Sequence, residues 1–252
     1  LAPKNRPLKH LKNSAMTQLV GIDGCKAGWV AAIGTPARFT IIIVKHFADL
    51  FDQVGMDAIY AIDMPMGLPD RVGAGGRAPE RLVRPMLGQR QSSLFSIPAR
   101  AAVEAQDYPT ACRLAQETSD PPRKVSKQGF YLFPKIRELD VFRRSEQGRA
   151  ARLFEVHPEL AFVMLNEGVA LDLPKKVKGA VFAPGMALRR QLLAKGGFEL
   201  DQVTIQAGAQ EDDVLDALAA LSVAVRIDQG LARPFPDPPH IDAHGIPIAI
   251  WG

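Results

Sequence analysis

The sequence predicts a mixed α/β fold in which a three-strand meander, a helix and parallel strands form one sheet flanked by helices. Three observations carry that expectation. Short apolar runs at 18–24, 29–33 and 39–44 are joined by tight Gly- and Pro-containing connections, the pattern of consecutive hairpins. Phe47, Leu50, Phe51 and Val54 then recur at helical spacing, followed by an apolar strand from Ala58 to Asp63 that Met64-Pro65-Met66-Gly67-Leu68-Pro69 terminates. Late in the chain, Glu211 to Gln229 forms the longest helix, with Leu215, Leu218, Leu221 and Val225 as its apolar stripe.

Between these landmarks, residues 70–150 are rich in Gly, Pro and Arg. They read as a long central insertion that carries loops over a site, with one helix from Ala99 to Gln116. Leu153 to Val156 returns to strand character, and His157 to Asn166 is helical with Pro158 in its first turn. Pro184 to Lys195 forms another helix, ended by Gly196-Gly197. Ile246 to Trp251 adds a final strand, expected at the sheet edge because Pro247 argues against a central one. A meander, a helix and a return strand open the ribonuclease-H-like fold, so residues 16–252 read as a single domain of that build. Residues 1–15 hold Lys4, Arg6, Lys9 and Lys12 and no acidic residue; they read as a basic, flexible leader before an expected start at Met16.

Composition removes several classes of function. With 47% hydrophobic and 23% charged residues the chain is neither disordered nor fibrous. No apolar run reaches the roughly 18 residues of a membrane span, and no signal peptide is apparent. Cys25 and Cys112 are too few for a disulfide framework, and no Cys/His spacing suggests zinc, so a reducing cytoplasm is the expected compartment. The net charge of +4 equals the four charges of the leader, so the body is near neutral. Its charges are unevenly spread. Residues 71–100 carry six arginines against Glu80 alone, and residues 123–152 carry nine Lys or Arg against Glu138, Asp140 and Glu146. A basic middle around an acidic centre suits a polyanion held against metal, and it equally suits a solvated arginine-rich surface.

The acidic residues fall where strands end or the late helix begins. Asp23 closes the first strand, Asp63 closes the fourth, and Glu155 lies in the strand at 153–156. Asp213 and Asp216 stand three apart and share a helix face; Asp212, four before Asp216, shares it too. Ligand sites of α/β sheets gather at such strand ends. Clustered carboxylates need a cation to relieve their repulsion, and hard oxygen ligands suit Mg²⁺ or Mn²⁺. Taken singly, each residue also fits a structural role: Asp23 and Asp63 as turn formers, Asp212 or Asp213 as a helix cap. His157, beside Glu155, is a candidate proton carrier or, more simply, a capping and packing residue.

Asp213-Val-Leu-Asp216-Ala-Leu-Ala219 resembles the metal-binding helix of the Holliday-junction resolvases of the ribonuclease H superfamily. A wider set of motifs resembles the family called domain of unknown function 429, described as predicted RNase H-like nucleases. The matching pieces are Gly21-Ile-Asp23-Gly-Cys25-Lys-Ala-Gly-Trp29, Ile62-Asp63-Met-Pro65, Ser92-Ser93-Leu-Phe95 with Pro98 and Arg100, and Ser126-Lys127-Gln128. Pro134-Lys135-Ile-Arg137-Glu138, Glu155-Val-His157-Pro158-Glu159 and Asp212-Asp213-Val-Leu-Asp216-Ala217 complete it. The resemblance implies a ribonuclease-H-like fold and, by superfamily analogy, Asp23, Asp63, Asp213 and Asp216 as metal positions, with Glu155 as a further catalytic candidate.

The leading functional expectation is therefore a divalent-metal-dependent nuclease or phosphodiesterase acting on nucleic acid or a nucleotide-like substrate. Arg90, Ser92, Ser93, Arg100, Lys127, Lys135 and Arg137 supply the donors expected to grip phosphate oxygens. Three tyrosines and two tryptophans are few for a protein that stacks single strands. The alternatives are a non-catalytic metal- or nucleic-acid-binding protein of the same fold and an actin-like or sugar-kinase-type phosphotransferase. The last normally duplicates the domain, for which this chain has little room.

Overall fold

The structure, a computed structural model, describes residues 17–252; the basic leader and Met16 lie outside the described residues. The chain begins with β1 (Gln18–Cys25), β2 (Gly28–Thr35) and β3 (Arg38–Val44), then α1 (Phe47–Val54) and β4 (Ala58–Asp63). The central segment holds α2 (Ala78–Val83), a 3-10 stretch (Arg84–Ser93), α3 (Arg100–Glu104), α4 (Tyr108–Glu117), α5 (Lys127–Arg144) and α6 (Glu146–Ala150). β5 (Arg152–Val156), α7 (Pro158–Leu165) and a small ribbon of β6 (Lys176–Val177) and β7 (Ala180–Val181) follow. The chain closes with α8 (Ala183–Lys195), a 3-10 turn (Leu200–Gln202), α9 (Glu211–Asp228), β8 (Pro234–Ile241) and β9 (Pro247–Trp251).

Seven strands form one mixed sheet in the order β3-β2-β1-β4-β5-β9-β8. The first three are the expected antiparallel meander; β4, β5 and β9 run parallel to β1, and β8 returns antiparallel. Alternation along the strands divides two cores. Val20, Ile22, Tyr60 and Ile62 face α1, α3, α4 and α5. Leu19, Ile59 and Ala61 face α7, α8 and α9. The helix α9 crosses β1 so closely that a Cβ on Gly21 would lie 2.0 Å from the Leu221 amide nitrogen. Only glycine leaves room for that helix, and the crossing brings the start of α9 to the end of β1.

Two expectations need correction. The strand β9 is not an edge: it pairs with β5 through Glu155↔Ile250 and Val156↔Trp251, and with β8 on its other side. Pro247 is its first residue, a position where the missing N–H interrupts little of the ladder. The edge on this side of the sheet is β8, whose four prolines at 234, 236, 238 and 239 mask it as a strand and suit it to an edge that should not pair further. The single helix expected from Ala99 to Gln116 is two helices. Ala105 is extended, Asp107 caps α4 by accepting from the Thr110 amide at 2.9 Å, and Pro109 sits in its first turn. Among the described residues, no helix is long and apolar enough to cross a membrane.

Candidate functional site

Asp23 and Asp63 are direct partners in the parallel pairing of β1 with β4. They follow Gly21 and Ala61 by two residues, so both project toward the face that α9 covers. Asp216, one residue before the Ala217 carbonyl that approaches Gly21, enters from the first turns of α9. The three carboxylates each offer an oxygen within 4.8 Å of the others. Asp216 is 5% exposed, and the two strand aspartates are half-buried.

Such crowding is unfavourable for three negative charges. Burial, then the neighbouring Asp63 and Asp216, push the Asp23 carboxyl well above the usual carboxylate range. Burial and the charge of Asp216 push Asp63 up to about 8. Burial raises Asp216 to about 6 even though Lys175 acts against the shift. Lys175, between α7 and α8, is a half-buried cation whose ammonium donates to Asp216 Oδ2. The other oxygen, Oδ1, is buried with no hydrogen-bond partner among the described residues. One lysine is too little positive charge for the cluster.

Donor type and that unpartnered oxygen fit a divalent cation. Asp23, Asp63 and Asp216 would hold it, because hard carboxylate oxygens suit such ions and the cluster otherwise carries uncompensated repulsion. The other two acidic candidates on α9 each have one oxygen engaged, and Asp212 Oδ1, like Asp216 Oδ1, is buried without a partner among the described residues. Asp213 accepts from the Gln210 amide at 2.8 Å in a capping box at the start of α9. Asp212 pairs with Lys176 at 2.7 Å.

Glu155 lies near the end of the neighbouring strand β5 in a different electrostatic setting. Its oxygens accept from Arg77 at 2.5 and 3.1 Å and from the Met66 amide at 2.7 Å. Arg77 also grips Glu80 Oε1 through two nitrogens and donates to the carbonyls of Met66 and Gly67. Burial pushes Glu155 up to about 7, and Arg77 opposes that shift.

A cavity of about 210 Å³ opens beside Asp23 and Asp63, and Ser93, Lys135, Glu155 and His157 also line it. Lys135 extends over the Trp29 ring, 4.6 Å from its centroid, and donates to the Gly28 carbonyl. Of the expected phosphate ligands, only Ser93 and Lys135 reach this cavity. Arg90 is half-buried, and Ser92 and Lys127 are exposed; none of the three is in its wall.

Arg100 and Arg137 are corrected to structural roles. Arg100 is buried and pairs with Asp140 at 2.7 Å and Asp242 at 2.8 Å, tying α3 to α5 and to the loop before β9. Arg137 donates at 2.9 Å to the carbonyls of Val103 and Ala105, acceptors left free where α3 stops. The same α5 motif supplies Glu138, which accepts from the Trp29 indole at 3.2 Å and the Phe47 amide at 2.7 Å. The motif is thus largely a clamp between α5, the sheet and α1.

The sequence does not mark Lys175, Arg77, Glu80 or Tyr131 as site residues. Arg77 and Glu80 stand three apart, a spacing that marks a helical ion pair but not its third partner, Glu155. Nothing near Pro174-Lys175-Lys176 indicates which carboxylate Lys175 meets.

Fold and site together define a mixed α/β protein with an acidic centre at the ends of two parallel strands. The chain belongs to the family described as protein of unknown function (DUF429), whose model matches residues 21–241. Neither the search of curated proteins nor that of solved structures gave a match.

Proposed function

We propose that the protein is a divalent-metal-dependent phosphodiesterase of ribonuclease-H-like build, acting on nucleic acid or a nucleotide-like substrate. The observation that carries this reading is the Asp23–Asp63–Asp216 cluster, with oxygens within 4.8 Å of each other beside a cavity. Bound there, Mg²⁺ or Mn²⁺ would supply Lewis-acid activation of water and of a phosphoryl oxygen. The chain's own groups orient the substrate. Lys135, whose side chain packs against Gly24 beside Asp23, places positive charge on the cavity wall, and the apolar residues Phe95, Ile97 and Leu132 exclude water from it. Arg77, itself braced by Glu80, holds Glu155 at the end of β5, where Glu155 lines the cavity.

The test is cleavage by nuclease-free protein of single-stranded, duplex, hybrid and branched nucleic acids with Mg²⁺ or Mn²⁺. Activity in the wild type that Asp23→Asn/Asp216→Asn protein lacks, at unchanged fold by circular dichroism, supports the reading. Equal activity in both proteins overturns it. A second reading, metal binding without turnover, draws on Lys175, which already gives Asp216 one cation. It predicts cation binding by the wild type with no cleavage of any of these substrates.

A further inference from the structure

The middle of α5 is spent on bracing: Arg137 holds the end of α3, and Glu138 holds α1. Its first half and the turn before it carry no such load. From 121 to 137 the chain holds Arg123, Lys124, Lys127, Lys135 and Arg137 and no acidic residue. Arg123, Lys124 and Lys127 are exposed, and none of the three has an ion-pair partner among the described residues. The Arg123 amide donates to Ser119 Oγ at 2.8 Å, which holds the turn that carries the first two cations.

Two cavities meet this stretch. One, of about 250 Å³, is lined by Arg123, Lys124 and Ser126 together with Ser96 and Ser119, and no acidic residue lines it. The other is the cavity beside Asp23 and Asp63, which Tyr131, Leu132 and Lys135 line. Ile97 borders both. Between them, Lys127, Tyr131 and Lys135 follow at four-residue spacing along one side of α5. From Ser126 to Lys135 the helix rises about 13.5 Å, the length of roughly four phosphates of a strand at ~3.4 Å each.

Tyr131 differs from the other large aromatic side chains. Trp29 and Tyr60 are fully buried, and Tyr108 and Trp251 are half-buried against other rings. Tyr131 is 74% exposed and has no ring partner among the described residues. An exposed ring with a lysine one turn away on each side suits an unpaired strand, whose bases stack on the ring while its phosphates meet the charge. A duplex offers no free base face to that ring. Few aromatic residues in the composition count against strand binding, but the relevant one is placed for it.

We propose that the turn at 123–126 and the first half of α5 form a single-strand track leading into the acidic centre. Arg123, Lys124 and Lys127 hold phosphates, Tyr131 stacks a base, and Lys135 meets the strand beside Asp23. This inference rests on the phosphodiester reading of the acidic cluster and adds the form of the substrate: an unpaired nucleic-acid strand.

The test is fluorescence anisotropy of a labelled single-stranded octamer with the full chain in EDTA, between about 50 and 200 mM salt. Three phosphate contacts at ~0.7 each predict a log–log salt slope of at least ~2 for wild type. Arg123→Ala/Lys124→Ala, at exposed positions, should flatten that slope by ~1.4 and weaken binding roughly 10-fold at ~0.1 M salt. Tyr131→Ala should also lose roughly 10-fold, whereas Tyr131→Phe should bind as wild type does. An abasic octamer keeps the phosphates and lacks the bases, so it should bind wild type and Tyr131→Ala alike. A duplex should bind at least ~10-fold more weakly than the octamer. Mn²⁺ titrated alone should bind all these proteins equally, which separates loss of the track from loss of the metal centre. Octamer binding unchanged in the double variant or in Tyr131→Ala, a duplex bound as tightly as the strand, or no octamer binding by wild type overturns the track. A wild type that binds the octamer with these dependences but binds no Mn²⁺ supports the track and overturns the metal reading instead.

Discussion

Two groups of carboxylates lie near the ends of neighbouring interior strands and differ in their counter-charge. At the end of β5, Glu155 and Glu80 share one buried arginine, Arg77, which makes charge-assisted bonds to both and to two backbone carbonyls. Next to it, Asp23, Asp63 and Asp216 share only the ammonium of Lys175, and Asp216 Oδ1 is left without a partner. The first group has one guanidinium for two carboxylates, bonded to both, although Glu80 Oε2 is left without a partner among the described residues. The second retains excess negative charge that folding alone does not relieve, and carboxylates held in that state are what a divalent cation requires. Carboxylates at neighbouring strand ends thus differ in counter-charge: one cation for two in the first group, one for three in the second.

The largest effect that can break the comparison is on stability. Arg77→Met leaves Glu80 and Glu155 buried without their cation, which should cost about 3–5 kcal/mol, read as a fall in the denaturation midpoint. Asp63→Asn replaces a carboxyl whose ionisation burial and Asp216 disfavour with a group that does not ionise, so the metal-free protein should keep or gain thermal stability. Equal losses in the two variants would mean the clusters are both structural.

Lys175→Met sharpens the contrast. It removes the internal competitor at Asp216, so Mn²⁺ should bind roughly 10-fold more tightly, about 1.4 kcal/mol, by titration calorimetry. The metal-free variant should melt lower than wild type, and saturating Mn²⁺ should restore the difference. Unchanged or weaker Mn²⁺ binding would show that Lys175 does not compete at the site.

The smallest effect is a pH trend. Folded Asp63 holds its proton up to about 8 and Asp216 up to about 6, whereas an unfolded aspartate releases it near ~3.9. The unfolded chain thus loses protons first, and the contribution of these groups to the metal-free protein's stability declines as pH rises from ~4 toward 8. Melting curves across that window should show the decline in wild type and a shallower one in Asp63→Asn. Because cation binding must release these protons, Mn²⁺ affinity should rise over the same window.

The sequence makes local regularity visible and hides long-range partnership. The strands at 18–25, 28–35, 38–44 and 58–63 and the helix α9 stand out because apolar spacing and turn residues reinforce each other. Asp23, Asp63 and Asp216 are legible for the same reason: each sits at the end of a well-marked element. The helix α5 escapes notice because Pro134 lies inside it and its apolar residues form no clear stripe, while β8 escapes because prolines dominate it. Arg100 reads as a free donor because its partners are Asp140 and Asp242, which only the tertiary fold brings near. Arg137 reads so because its acceptors are carbonyls created by an unforeseen helix break at Ala105. Lys175 was invisible as a counter-ion until α9 was placed against β1.

The most direct measurement is calorimetric titration of Mn²⁺ into metal-stripped wild type and Asp23→Asn/Asp216→Asn protein at pH 7.5. Mutating residues that merely support a metal ligand costs about 10–100-fold in affinity, so removing two ligands should weaken binding by at least ~100-fold. The account predicts saturable binding in the wild type and none resolved in the double variant, with both proteins folded. Wild type that binds no Mn²⁺ at millimolar concentration, or a double variant that binds it equally well, would contradict the assignment of Asp23, Asp63 and Asp216 as a metal centre.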